Sequence, residues 1–208
     1  MKLDSAAGNG MRRWVAALAV AAGCAGQAAF GFSTVVIDPG HGGVDRGGIP
    51  GQRVAEKVMA LDLAFRLRAR LEAAGLRTVL TRHDDTFISL PERVAIANAQ
   101  RDAVFISLHF NATPRPAAEG FETYYYSRRS ARLADACYRA IVQAWPGTHR
   151  GLRTRGFFVI RRTAIPSVLV EPGFLTNPRE AGIISQPWER QRLADLLASA
   201  ILSVRRRM

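Results

Sequence analysis

The spacing of apolar positions changes along the chain between periods of two and about 3.6 residues, which is typical of strands alternating with helices. Short apolar runs rich in β-branched and aromatic residues predict strands at 35–37, 76–81, 104–108, 120–126, 157–160 and 167–170. Helical spacing predicts helices at 54–74, 89–101, 130–145 and 187–204. The segment 148–156, which contains three arginines, is predicted to be a loop. The alternation of strands and helices predicts an α/β domain with three layers.

The first 31 residues differ in pattern from the rest of the chain. Arg12 and Arg13 precede an apolar run, and small residues follow as far as Gly31. This order is typical of a secretory signal, so residues 1–31 are predicted to be a signal peptide and 32–208 the mature domain. The apolar run is short for a bilayer, which favours a removed signal over a permanent membrane span.

A lipoprotein anchor is the alternative to simple secretion. The segment Ala21-Ala22-Gly23-Cys24 resembles a lipoprotein box, although Ala stands where Leu is usual. We therefore expect an exported protein of the periplasm or cell wall, with anchoring at Cys24 as the second interpretation. Removal of the signal would leave Cys137 as the single cysteine, and its place on the apolar face of a predicted helix indicates a buried structural thiol.

Composition and charge narrow the class of partner. The chain has 208 residues, of which 48% are hydrophobic and 22% charged, a size and composition that fit one globular domain. Its net charge is +12, and loss of three basic residues and one acidic residue with the signal leaves the mature domain strongly basic. No nucleic-acid module is recognisable, so we expect an acidic polymer outside the cytoplasm rather than DNA. The protein is expected to be a monomer.

Three ionisable residues lie at or just beyond the ends of apolar strands. They are His41, His109 and Glu171, and Glu56 lies in the first turn of the helix that comes after His41. In open α/β sheets ligands bind at the carboxyl ends of strands. Two imidazoles and one carboxylate form a typical zinc-binding set, although an acid in a first helical turn is also common as a partner of the helix dipole.

Five segments, in this order along the chain, resemble the motifs of zinc-dependent N-acetylmuramoyl-L-alanine amidases. They are VIDPGHGGVDRG (36–47), EK (56–57), TR (81–82), SLHFNA (107–112) and VEPGFLTN (170–177). The resemblance implies that His41, Glu56 and His109 bind Zn²⁺ and that Glu171 is the catalytic carboxylate. It also implies a single three-layer α/β domain with a twisted, mostly parallel central sheet flanked by helices. Pro172 departs from the family, which usually has Thr or Ser there, and proline cannot donate a hydrogen bond.

Several other residues have weaker assignments. Asp38, Asp45 and Asn111 are candidates for orienting a metal ligand. Arginines near the predicted site are candidates for attracting carboxylates of the substrate, with a solvated surface as the favoured alternative; these are Arg82, Arg150, Arg153 and Arg155.

The sequence thus predicts an exported amidase that cuts the bond between N-acetylmuramic acid and L-alanine of the peptidoglycan stem peptide, in wall remodelling or cell separation. One alternative is a non-catalytic peptidoglycan-binding protein that retains the fold, and another is a zinc peptidase or deacetylase. A covering helix over the metal is not expected, because the short segment Ala112–Glu119 contains two prolines. No activating partner is therefore expected.

Overall fold

A computed structural model of the protein describes residues 31–49, 52–144 and 147–205. The strands of this part are β1 (Thr34–Pro39), β2 (Arg77–Leu80), β3 (Ala103–Leu108), β4 (Phe121–Tyr125), β5 (His149–Thr154) and β6 (Ser167–Glu171). The α-helices are α1 (Glu56–Ala73), α2 (Leu90–Asn98), α3 (Ala131–Ala144), α4 (Phe158–Arg162), α5 (Pro178–Ile184) and α6 (Pro187–Arg205). A short 3₁₀ turn, Arg128–Ser130, precedes α3. The predicted signal peptide lies outside the described residues, apart from Gly31.

The six described strands form one sheet in the order β2-β1-β3-β6-β4-β5. β1 is parallel to both β2 and β3, and β3 is parallel to β6. β4 runs antiparallel to β6, and β5 runs parallel to β4. The prediction of a mostly parallel sheet is confirmed. As a result, β1, β3 and β6 end at the same edge of the sheet where β4 and β5 begin.

Both faces of the sheet are covered, which explains why its central strands are apolar at consecutive positions. In β1, Val35 and Ile37 face a large core cluster formed with α1, α3 and α6, whereas Val36 faces a smaller cluster formed with α2 and α4. Each fully buried side chain of this size contributes roughly 1.5–3 kcal/mol relative to leaving it exposed. The three predicted layers are therefore present, with the core divided between the two faces.

Two elements differ from the sequence prediction. The segment 157–160, predicted as a strand, begins α4, in which Val159 and Ile160 are buried against the sheet. A run of four apolar residues fits a buried helical turn as well as a strand, so period alone does not separate the two. The segment 148–156, predicted as a loop, contains the edge strand β5. Its charged side chains do not show the apolar pattern from which a strand is predicted.

Side-chain caps begin two of the helices. At Ser89, before α2, a capping box is formed with Glu92 as its partner. Helix α5 was not predicted, although Asn177 caps it by accepting from the backbone of Arg179 and Glu180.

The buried thiol agrees with the sequence analysis. Cys137 is fully buried in α3, and burial raises the pKa of its thiol to about 12. Within the described ranges, no helix combines the length and apolar character needed to cross a membrane.

Candidate metal centre and active site

Three side chains of the predicted metal site converge at the carboxyl edge of the sheet. His41 follows β1, His109 follows β3, and Glu56 is the first residue of α1. Oε1 of Glu56 lies 3.0 Å from Nε2 of His41 and 2.8 Å from Nδ1 of His109, and the two ring nitrogens are 3.1 Å apart. The ligand atoms of all three lie within 4.8 Å of one another. The structure therefore brings these three predicted ligands together. This His-Glu-His group of side chains is called the metal cluster below.

Two glycines of the motif make this close approach possible. A side chain at Gly40 would place its Cβ 2.3 Å from the His109 ring. At Gly47, where φ is +68°, a Cβ would lie 2.5 Å from His41 and 2.7 Å from Glu56. His41 itself has φ of +62°, an uncommon value for a residue with a side chain. The glycine-rich sequence thus supplies the space that the two rings and the carboxylate occupy.

Glu56 is 3% exposed and is held from several sides. Its Oε1 also accepts from the backbone N–H of Phe110 at 2.9 Å. Burial by itself raises the pKa of Glu56, but hydrogen bonds and charge interactions with His109 and His41 outweigh burial and lower the pKa to about 2. The carboxylate is therefore ionised at neutral pH, which is the form that binds a cation.

Asp45 orients the His41 ring. Nδ1 of His41 donates to Oδ2 of Asp45 at 2.8 Å, and Oδ1 of the same carboxylate accepts from the backbone of Gly47 at 3.0 Å. With Nδ1 held by Asp45, the second ring nitrogen, Nε2, points toward Glu56. Burial lowers the pKa of His41, but the Glu56 and Asp45 carboxylates together raise it above its usual value. Of the three residues predicted to orient a ligand, Asp45 is the one that contacts a residue of the cluster.

Glu171 is the last residue of β6, the strand next to β3, which ends just before His109. Its Oε2 is buried and, among the described residues, has no hydrogen-bond partner. Burial, assisted by the charges of Glu56 and Glu122, raises the pKa of Glu171 well above its usual value. An unpaired buried carboxylate oxygen costs roughly 1–3 kcal/mol or more. Such a group has a strong tendency to take up a proton.

Comparison with known proteins identifies the family to which the chain is related. Residues 35–203 match the profile of the N-acetylmuramoyl-L-alanine amidase family. The chain belongs to this family.

Three similar proteins illustrate the relationship. The chain is 37% identical over 174 residues to N-acetylmuramoyl-L-alanine amidase LytC of Bacillus subtilis, covering 82% of the chain and 35% of LytC. It is 33% identical over 170 residues to the probable cell wall amidase LytH of Staphylococcus aureus, covering 81% of the chain and 57% of LytH. The catalytic domain of the amidase CwlV from Bacillus (Paenibacillus) polymyxa var. colistinus superposes with a TM-score of 0.79 at 35% identity, covering 83% of the chain and 98% of that domain. The chain thus spans about a third of LytC but nearly all of the CwlV domain.

In this amidase-family domain, two buried arginines hold the backbone that presents His41. Arg82 donates to the carbonyls of Pro39 and Gly40 at 3.0 and 2.7 Å. Arg93 donates to the carbonyls of Pro39 and His41 at 2.8 and 2.6 Å. The suggestion that Arg82 attracts substrate, and the alternative that it is solvated, are both wrong, because its side chain is 2% exposed and bonded to backbone. Arg93 was not singled out from the sequence.

Asp38 serves the same scaffold and does not touch the metal cluster. Its Oδ1 accepts from Nη1 of Arg93 at 2.7 Å and from Thr81 at 2.6 Å, and its Oδ2 accepts from Ser107 at 2.7 Å. The suggestion that Asp38 orients a ligand directly is therefore wrong. This explains the threonine and serine of the Thr-Arg and Ser-x-His motifs, because Thr81 and Ser107 donate hydrogen bonds to the buried Asp38 carboxylate.

Glu122 is the main residue of the site that the sequence analysis missed. It is 5% exposed and is the cross-strand partner of Glu171 in the β4–β6 pair. Its Oε2 accepts from Asn111 at 2.8 Å and from the Tyr124 hydroxyl at 2.6 Å. Asn111 thus contacts Glu122 and not a residue of the metal cluster. The sequence signal that could have identified Glu122 is a charged residue at an inward-facing position of a strand rich in aromatic residues.

The metal cluster opens into a cavity of about 370 Å³. His41 and His109 contribute to its wall, and apolar side chains form much of the remainder; these are Phe87, Ile88, Leu90 and Val159. The two histidine side chains remain 21% and 19% exposed. Between His109 and β4, the segment 112–119 contains no helix, in agreement with the prediction that no helix there covers the cluster.

Proposed function

We propose that the protein is an exported, zinc-dependent N-acetylmuramoyl-L-alanine amidase that hydrolyses the bond between N-acetylmuramic acid and L-alanine in peptidoglycan. The observation that carries this proposal is the convergence of His41, Glu56 and His109 at the sheet edge where β6 ends with Glu171. The buried Oε2 of Glu171 has no hydrogen-bond partner among the described residues. Membership of the amidase family supports the same reaction.

The donor set fits zinc. Ligand atoms about 2.1 Å from a tetrahedral zinc ion are roughly 3.4 Å apart, and the three atoms here are separated by 2.8–3.1 Å. His41, Glu56 and His109 would hold the ion, with Asp45 orienting His41 through its second ring nitrogen. When bound, zinc supplies Lewis acidity, which activates water and polarises a carbonyl.

Glu171 is proposed to move the proton. Its raised pKa means that the carboxylate holds a proton well once it has taken one from the attacking water. The same proton then passes to the nitrogen of the leaving L-alanine, so that the peptide departs as a neutral amine. Pro172 removes a backbone N–H next to this residue, and Oε2 of Glu171 remains without a hydrogen-bond partner among the described residues.

Export rests on the predicted signal peptide at residues 1–31 and on the names of relatives such as the probable cell wall amidase LytH. We place the protein in the periplasm or cell wall, as a monomer acting in wall remodelling or cell separation. Lipid anchoring at Cys24 is the alternative mode of retention. Mass analysis of the amino terminus of the secreted protein separates removal after Gly31 from lipidation at Cys24.

Chemical analysis of digested peptidoglycan tests the activity. An amidase releases peptides with a free amino-terminal L-alanine and leaves intact glycan strands. Release of acetate would instead indicate a deacetylase, and new amino groups within the stem peptide would indicate a peptidase. Binding to the wall polymer without any new end would support the non-catalytic alternative and contradict our proposal.

A further inference from the structure

We propose that Arg150 and Arg153 form an anion subsite that binds a carboxylate of the peptide released by the reaction. This inference rests on the proposed amidase function and specifies which part of the substrate is recognised. It is independent of zinc, because neither arginine belongs to the metal cluster.

The sheet topology places both arginines near the reaction centre. β5 runs parallel to β4, and β4 runs antiparallel to β6, so β5 begins at the edge where β6 ends with Glu171. Nε of Arg150 lies 3.4 Å and Nε of Arg153 lies 3.3 Å from Oε1 of Glu122. Glu122 in turn is the cross-strand partner of Glu171. The two guanidinium groups therefore flank the strand next to the proposed proton carrier.

The two arginines retain an excess positive charge and unused hydrogen-bond donors that a ligand can contact. Two cations surround one carboxylate, which leaves one positive charge in excess. Their side chains are 36% and 43% exposed, whereas that of Glu122 is 6% exposed. Other donors of the pair are used on the carbonyls of Glu119 and Arg150, but in the described ranges Nη2 of Arg150 and Nη1 of Arg153 make no hydrogen bond. These two nitrogens are available to a carboxylate from solvent.

Arg150 is also held in place by an aromatic ring. Its guanidinium carbon lies 5.1 Å from the ring centroid of Phe174, which follows Glu171 by three residues. Such a contact restricts a flexible side chain, because the ring face attracts the guanidinium cation. The subsite thus has one side chain positioned by Phe174 and a second positioned by the backbone of β5.

The distance from the reaction centre indicates which carboxylate would fit. β4 lies between β6 and β5, so a strand spacing of about 4.8 Å places β5 roughly 10 Å from β6. An extended peptide advances about 3.3 Å per residue, so this distance corresponds to about three residues. A carboxylate on the second or third residue of the released peptide would therefore reach the arginines while the scissile bond lies at Glu171.

A purely structural role for the arginines makes a different prediction. If they serve only to neutralise the buried Glu122, their loss lowers stability but does not discriminate between charged and neutral substrates. Discrimination between a carboxylate and its amide is therefore the informative measurement. A partly exposed, charge-assisted subsite should favour the carboxylate by about tenfold.

The test uses two forms of the stem-peptide substrate. The acid substrate has free carboxylates on the second and third residues, and the amide substrate has both converted to carboxamides. With the wild-type mature protein we expect a KM about tenfold lower for the acid substrate, and a smaller difference at high salt. In R150A/R153A the ratio of the two KM values should approach one, and R150K/R153K should retain part of the preference.

Arg68 provides the matched control. It is an exposed arginine paired with Glu72 on α1, so R68A changes the net charge equally per site but should keep the tenfold preference. Calorimetric titration with the released peptide, in acid and amide forms, measures the same discrimination without turnover. Thermal unfolding of each variant shows whether it is folded, and the wild-type comparison remains decisive if the double variant is not.

The outcomes separate this inference from the proposed function. Equal KM and binding values for acid and amide forms in the wild type would overturn the anion subsite while leaving the amidase function intact. Arginine-dependent binding of the acid peptide without any cleavage would overturn the function and support the subsite. Neither cleavage nor binding would overturn both.

Discussion

Nδ1 of His41 donates to Oδ2 of Asp45 at 2.8 Å, while the other nitrogen of the same ring faces Glu56. A ligand oriented in this way binds metal more tightly, and loss of such a partner commonly costs 10- to 100-fold in affinity. We expect D45N to weaken zinc binding by about this factor, as measured by titration against a competing chelator. Asp135, an exposed carboxylate on α3, provides the control variant D135N. Equal zinc affinity of D45N and the wild type would show that the contact does not support the metal.

Removal of one metal-binding histidine should abolish zinc binding. We expect about one zinc ion per wild-type chain, and little zinc or activity in H41A and H109A, because two ligands hold zinc far less tightly than three. Metal analysis after dialysis measures the content. H149A, which alters an exposed histidine of β5, should keep both properties. Full zinc content in H109A would contradict the ligand assignment.

Replacement of Glu171 should separate catalysis from metal binding. E171Q is expected to keep the fold and zinc while losing turnover by a factor of about 10² to 10⁴, since the amide cannot carry the proton. Turnover of purified peptidoglycan and zinc content are measured on the same preparation. Near-normal turnover in E171Q would assign the proton transfer to another group.

The same substitution should change how stability depends on pH. The folded-state pKa of Glu171 is raised above its usual 4.5, so the folded chain holds this proton more tightly than the unfolded chain. Its contribution to stability is complete below about 4.5 and is lost as pH rises through the folded pKa. In the zinc-free protein we therefore expect the unfolding free energy of the wild type, relative to E171Q, to fall as pH rises above about 4.5. Denaturant unfolding at several pH values measures this difference, and a constant difference would contradict the raised pKa.

Arg93 should contribute strongly to stability. The side chains of Arg93 and Asp38 are 3% and 0% exposed, and R93A would leave the Asp38 carboxylate buried without its cation. Breaking a buried pair in this way costs about 3–5 kcal/mol. In R68A, where an exposed pair is lost, the cost should stay below about 1 kcal/mol. Denaturant unfolding compares the two, and equal small losses would mean that water reaches Asp38 in the variant.

The purified mature protein should act on peptidoglycan without an activator. The segment 112–119 contains no helix, and both histidines of the cluster retain some exposure. Turnover measured with the protein alone tests this expectation. A protein that remains inert until another component is added, with part of its own chain over the cluster, would contradict it.

The sequence predicted those strands and site residues that a local pattern of apolar and ionisable residues marks. Apolar runs located β1, β3 and β6, and the residues that follow them placed His41, His109 and Glu171 at one edge. β5 and α4 were assigned incorrectly because the charged edge strand lacks an apolar pattern and the short helix lacks enough residues to show its period. The role of Arg82 was also wrong, since side-chain burial depends on which loops meet in space.

Glu122 and Arg93 show a further limit of the sequence. Each is an ordinary charged residue within a predicted element, but Arg93 pairs with Asp38, 55 residues away along the chain, and Glu122 pairs across strands with Glu171. Only the antiparallel register of β4 and β6 sets Glu122 opposite Glu171. Pairings of this kind follow from topology, which single-residue patterns do not specify.

The buried thiol of Cys137 makes it possible to measure how often the folded domain opens locally. With no exposure and a pKa near 12, the sulfur presents almost no thiolate to an alkylating reagent while α3 stays packed. Labelling can proceed only during excursions that lift α3 from the sheet. The labelling rate at Cys137 therefore measures the free energy of those excursions, without any engineered probe.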